Sequence, residues 1–229
     1  MLERQYLIVD ADDTLWENNI YFEQAFADYC AFLDHPTLSP GEVRAILDEI
    51  ELANIKTHGY GSLNFGRNLK QCYERLAERE VRGEDLDRVM SFAERILEQP
   101  IELLDGVQET LEYLSLRHDL TLCTKGHAEE QKLKIDRSGL GIYFGHTAIV
   151  REKDEGSYRQ LVTDRGMHPE TTWMIGNSPK SDINPALAAG INAVFVPHER
   201  TWSLEKQEMR SGPGRLLLLE RFSDLRDYF

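Results

Sequence analysis

Cysteine, proline, positive charge and long apolar runs are all scarce in this sequence, and each shortage removes a class of protein. The three cysteines, Cys30, Cys72 and Cys123, are odd in number and widely spaced, which supports neither a disulfide framework nor a zinc cluster. They are expected to be reduced and mostly buried. With only 8 prolines and 41% hydrophobic residues, the chain is neither disordered nor fibrous, and 229 residues suffice to bury a core. Basic residues number 26 against 40 acidic ones, a formal charge of -14 that repels the phosphate backbone of nucleic acids and anionic membranes. The apolar stretch near the start is far shorter than a signal peptide requires, and no later segment approaches a membrane span. The expectation is therefore a cytoplasmic protein, with neither nucleic acid polymer nor membrane as partner.

What the chain does contain is a recurring short apolar run. Tyr6 to Val9, Leu120 to Cys123, Thr147 to Val150, Thr172 to Ile175, Ala193 to Val196 and Leu216 to Leu219 have the length and composition of buried parallel strands. Amphipathic helical stretches separate most of them, so the α/β rhythm predicts a doubly wound, mainly parallel Rossmann-like sheet. Helix ends are expected at Asp105 (a cap), at Gly139 and at Gly190.

From residue 17 to 100 that rhythm stops. Apolar residues recur at helical spacing, as in Phe22, Phe26, Tyr29, Phe32 and Leu33, which predicts an inserted helical bundle between a core of residues 1–16 and 101–229. Ser39, Pro40 and Glu42 form a capping box from which a helix should run toward Ala53. The glycines at 59, 61 and 66 suggest a shaped loop, with further helices near 64–79 and 84–98. Residues 198–214 carry no readable period.

Asp10, Asp12, Asp13 and Thr14 follow the first strand directly, where an open α/β sheet gathers ligands. Three acids at one strand end call for a cation. Other strand ends supply Thr124, then Lys153, then the segment Gly176 to Asp182. This order, DxDxT followed by a Ser or Thr, a Lys and a late acidic motif, resembles the haloacid dehalogenase superfamily over nearly the whole chain.

The resemblance implies a magnesium-dependent phosphatase acting on a small phosphorylated metabolite through an aspartyl-phosphate. Asp10 would be the nucleophile, and Asp12 the general acid and base whose backbone carbonyl also binds the metal. Asp10, Asn177 and Asp182 would complete the Mg2+ site, Lys153 would add a fixed positive charge, and Thr124, Lys125 and Gly126 would hold a phosphoryl oxygen. The helical insert corresponds to the family's cap, which closes over the cleft and selects the leaving group, with Lys56, His58, Tyr60 and Asn64 as candidates to face substrate.

One departure stands out: Asn177 occupies a place where the family commonly has Asp. Asp13, where the family often has glycine, is expected to brace its turn. Trp16 and Trp202 are expected to pack rather than recognise substrate. A phosphomutase using the same aspartates stays open, as does a noncatalytic binding protein for which Asn177 is the one supporting feature. Dehalogenation is disfavoured by Asp12, since a departing halide needs no proton. The assembly is expected to be a monomer or homodimer.

Overall fold

The computed structural model describes residues 4–229. In chain order it contains β1 (Tyr6–Val9), α1 (Asn19–Leu33), α2 (Pro40–His58), α3 (Ser62–Leu76), α4 (Gly83–Glu94) and α5 (Val107–Ser115). There follow β2 (Asp119–Lys125), α6 (Ala128–Ser138), β3 (His146–Val150), α7 (Glu155–Asp164), β4 (Thr172–Gly176), α8 (Asn184–Ala188), β5 (Asn192–Phe195) and β6 (Leu216–Leu218). The contacts divide the chain into two compact units, Met1–Asn19 with Ile101–Phe229, and Ile20–Pro100. Among the described residues no helix is long and apolar enough to cross a membrane.

The first unit is an α/β sheet of six parallel strands in the order β3-β2-β1-β4-β5-β6. Side chains alternate across it: Leu7, Val9 and Ile175 join one buried cluster, Ile8, Met174 and Ala193 another. A strand covered on both faces has no polar side, which is why each reads as a continuous apolar run. After β1 the sheet grows outward through β2 and β3, then returns to the other side of β1 with β4. The carboxyl ends of β1 and β4 therefore form the topological switch point, where such sheets leave a crevice.

The second unit is helical. Ser39 and Glu42 cap α2 reciprocally, the Ser39 amide donating to Glu42 Oε2 at 2.8 Å and the Glu42 amide to Ser39 Oγ at 3.4 Å. The helix does not stop near Ala53. Nothing between there and His58 interrupts it, and it ends at Gly59, whose φ of 74° a residue with a side chain adopts at a cost. Gly66 likewise lies inside α3 rather than in a loop, because a Cβ there would run into Met90 and Ala93 of α4. The expected loop thus shrinks to three residues, 59–61. Asp105 does not cap α5; that place falls to Gly106, held at φ 72°.

Glu51 of α2 is buried in the helical unit, and its Oε2 has no hydrogen-bond partner. Burial raises its pKa to about 8; Arg44 opposes this, while Asp48 and Glu23 add to it. The folded form holds a proton that the unfolded chain, at an ordinary 4.5, has released, so this contribution to stability is complete below about pH 4.5 and declines as pH rises toward 8. Urea unfolding of Glu51→Gln should lose this decline between pH 5 and 8, provided the fold is kept. An unchanged slope would mean that Glu51 titrates normally.

Candidate active site

Four loops carry the candidate residues. β1 delivers Asp10 in line with the sheet, its amide donating to Ile175 O of β4 at 2.9 Å. Gly176 ends β4, and it has to be glycine because a Cβ would overlap the Asp182 carboxylate. Just beyond it, Pro179–Ile183 make a π turn, wider than an α turn, that directs Asp182 back at the strand; the Ser178 amide donates to its Oδ2 at 2.9 Å. Lys153 sits between β3 and α7, where Asp154 and Ser157 form a capping box that fixes the helix start beside it.

These residues converge. Lys153 Nζ donates to Asp10 Oδ1 at 2.5 Å and to Asp182 Oδ1 at 2.8 Å, with all three side chains buried. The Thr14 hydroxyl lies 2.8 Å from Asp10 Oδ2 and 3.4 Å from Asn177 Oδ1, and Asn177 Nδ2 donates to Thr201 Oγ1 at 3.0 Å. Burial pushes Asp182 up to about 7, with Lys153 opposing and Asp10 reinforcing the rise. Burial depresses the Lys153 ammonium, yet the two carboxylates outweigh it and its pKa is raised. Two buried carboxylates share one cation, a deficit of one positive charge among oxygen donors.

Asp12 belongs to a separate network. Lys134 Nζ donates to both of its oxygens at 2.6 Å, Gln131 Nε2 to Oδ2 at 2.9 Å and Trp16 Nε1 to Oδ1 at 2.8 Å. Burial works against its charge, but Lys134 and these hydrogen bonds outweigh that and hold the pKa below its ordinary value. Asp13 braces the turn, accepting from the Asn18 and Asn19 amides at 2.8 and 3.0 Å. Burial raises its pKa to about 7 against those two amides, and the neighbouring Asp12 and Asp10 raise it further. Asp13, Glu17 and His198 also lie close enough to share an ion, although His198 Nδ1 already accepts from the Arg200 amide at 3.3 Å.

Thr124 is buried at the end of β2. The Gly126 amide, expected to face a phosphoryl oxygen, donates in this structure to Val150 O at 3.3 Å, just past the last β2–β3 pair, Lys125 with Val150. The Lys125 side chain turns to Ser181 Oγ and Glu205 Oε1, both at 2.7 Å, while Ser178 Oγ donates to Glu205 Oε2 at 2.6 Å. Glu205 thus ties the end of β2 to the turn that carries Asp182.

The profile described as "Haloacid dehalogenase-like hydrolase" matches residues 7–196. The chain belongs to that family and is a hydrolase. Among solved structures it is similar to a haloacid dehalogenase-like family hydrolase from Xanthomonas campestris, with 28% identity and a TM-score of 0.84 over 98% of this chain and 94% of that one. The HAD-hydrolase YfnB of Bacillus subtilis, solved bound to magnesium, shares the fold at 17% identity and a TM-score of 0.71, over 99% of both chains. A phosphoserine phosphatase of Thermus thermophilus is 28% identical over 115 residues, a match spanning 48% of this chain and 43% of that protein.

Against the sequence expectations for this HAD-like hydrolase, Asp10, Lys153, Asn177 and Asp182 meet at the carboxyl ends of β1 and β4, and Asp12 beside them is held by partners of its own. Lys134, Gln131, Thr201 and Glu205 escaped sequence reading: the first two lie on an ordinary charged helix, the others in the segment without period. Asn64 is not turned outward, since its amide donates to the carbonyls of His58 and Tyr60, at 2.5 and 3.1 Å, and braces the turn between them. Trp16 is fully buried and packs in the sheet unit's core.

Removing Lys153 leaves Asp10 and Asp182 facing each other in a buried site. Lys153→Met should therefore lose about 3–5 kcal/mol of unfolding free energy by urea denaturation. Adding Asp182→Asn should recover part of that loss. Equal stability of Lys153→Met and wild type would mean that the carboxylates are not held by this cation.

Proposed function

We propose that this hydrolase is a magnesium-dependent phosphatase of a small phosphorylated metabolite, with Asp10 as nucleophile. The observation that carries the reading is the buried bridge from Lys153 to Asp10 and Asp182 at the switch point of the sheet. A dianionic phosphate cannot approach a lone buried carboxylate; Lys153 supplies part of the compensating charge.

The remaining deficit suits a hard divalent cation, because the donors facing it are all oxygens. Asp10, Asn177, Asp182 and the Asp12 backbone carbonyl would hold Mg2+. When bound, it supplies charge neutralisation and Lewis acidity at a phosphoryl oxygen. The magnesium of the Bacillus subtilis protein and the phosphatase activity named for the Thermus thermophilus protein are both in keeping with this assignment.

Asp10 attacks phosphorus, an O–P bond forms, and the bond to the leaving oxygen breaks as Asp12 gives that oxygen its proton. Water then attacks the aspartyl-phosphate, Asp12 takes the proton, and the Asp10–phosphorus bond breaks. Asp12 is poised in the ionised form that the second step uses; an adjacent phosphate favours the protonated form that the first requires. Thr14 orients Asp10 through its 2.8 Å hydrogen bond, and Thr124 is assigned to the phosphoryl group from its place at the end of β2. The helical unit inserted between β1 and β2 is assigned the cap role of the family on its place in the chain.

Purified protein with magnesium should release inorganic phosphate from an aryl phosphate, and Asp10→Asn should abolish turnover with the circular dichroism spectrum unchanged. Turnover by Asp10→Asn at the wild-type rate overturns the assignment. The amide at position 177 implies a second outcome. Asn177→Asp adds a ligand charge and should lower the magnesium concentration for half-maximal activity by about tenfold; an increase would place residue 177 outside the metal's ligands.

A further inference from the structure

Asp12 is held by a helix that no motif of the sequence marks. Lys134 and Gln131 stand three residues apart on α6 and so share a face of it. Lys134 Nζ reaches both oxygens of Asp12, and also Asn18 Oδ1 at 3.1 Å. The Gln131 amide reaches Asp12 Oδ2 and also the Lys125 carbonyl at 3.1 Å, and a Cβ at Gly126 would press against it. One pair of side chains therefore fixes the carboxylate against the loop that follows β2. Asp10 is held by a different set of donors, Thr14 and Lys153.

A tie between α6 and the β1 loop could serve stability alone, but a largely desolvated ion pair is a poor device for that: its desolvation cost offsets most of its attraction. Such a pair does fix where a carboxylate points. A single ammonium contacting both oxygens, with Gln131 and Trp16 on the flanks, restricts rotation of the group about its own bond. General acid–base catalysis needs that restriction, because proton transfer requires the donor within hydrogen-bond reach of the reacting oxygen.

We propose that Lys134 is a positioning residue for Asp12, holding its carboxyl group where it exchanges a proton with the leaving oxygen and then with the attacking water. This rests on the phosphatase reading above. Lys134 takes no part in the proton transfers: in the first step the proton passes from Asp12 to the leaving oxygen as the Asp10–phosphorus bond forms and the bond to that oxygen breaks, and in the second from water to Asp12 as the water oxygen bonds phosphorus and the Asp10–phosphorus bond breaks.

The test is the leaving-group dependence of kcat/KM, which reports only the steps through the first irreversible one. An alkyl phosphate needs a proton on its leaving oxygen, whereas nitrophenyl phosphate departs as a stable anion. Lys134→Met should lower kcat/KM for the alkyl phosphate by about tenfold or more and for the nitrophenyl ester by less than about threefold. Lys134→Arg, still able to bridge both oxygens, should recover most of the loss. In an Asp12→Asn background Lys134→Met should cost nothing further. Equal losses on both substrates, or an undiminished loss in the Asp12→Asn background, overturn the proposal and leave Lys134 a structural residue. Absence of phosphate release by the wild-type protein with magnesium would instead defeat the phosphatase reading, whatever Lys134 does.

Discussion

A single buried ammonium organises this molecule's candidate centre. Lys153 lies between Asp10 and Asp182, residues that come from opposite ends of the sequence and would repel each other without it. The arrangement depends on strand order: only a sheet that leaves β1 in one direction and returns beside it with β4 brings the end of the first strand next to the turn after the fourth. Gly176 lets the Asp182 carboxylate sit against the strand, and the π turn supplies the extra length that aims it. Packing and electrostatics thus specify the same small volume. The surplus of one negative charge in that volume links the fold to the chemistry proposed for it.

Around this centre, two further polar networks keep other side chains in place. Lys134, Gln131 and Trp16 hold Asp12, and Glu205 joins Lys125 to Ser178. Each network crosses between separate loops, so each loop is braced by another rather than by its own hydrogen bonds alone. Buried polar networks of this kind are stabilising only when their members are satisfied, and they confer position more than stability. The helical unit follows other rules: its helices pack through apolar residues at helical spacing and a close approach at Gly66.

Much of this was legible in the sequence, for physical reasons. A strand buried on both faces must be apolar along its length, so six short apolar runs announced six strands to within a residue or two at most ends. Polar residues at the ends of such runs have few places to go except the sheet's edge, and Asp10, Lys153 and Asp182 followed from that. Illegible were the partners reached only through space. The helix containing Lys134 reads as an ordinary solvated face, and its partner Asp12 lies 122 positions away. Glu205 falls in a stretch without period, and only the fold brings it to Lys125. The turn at 59–61 is shorter than three nearby glycines suggest, because Gly66 serves a close helix contact and not a loop.

The central claim is that a covalent intermediate forms on Asp10. Acid-quenching the enzyme during turnover of a phosphate ester with magnesium, followed by mass spectrometry of its peptides, tests this most directly. The account predicts a phosphoryl adduct on the peptide containing Asp10 and none in Asp10→Asn. A phosphoryl group on another residue, or steady turnover with no adduct at any quench time, would contradict it.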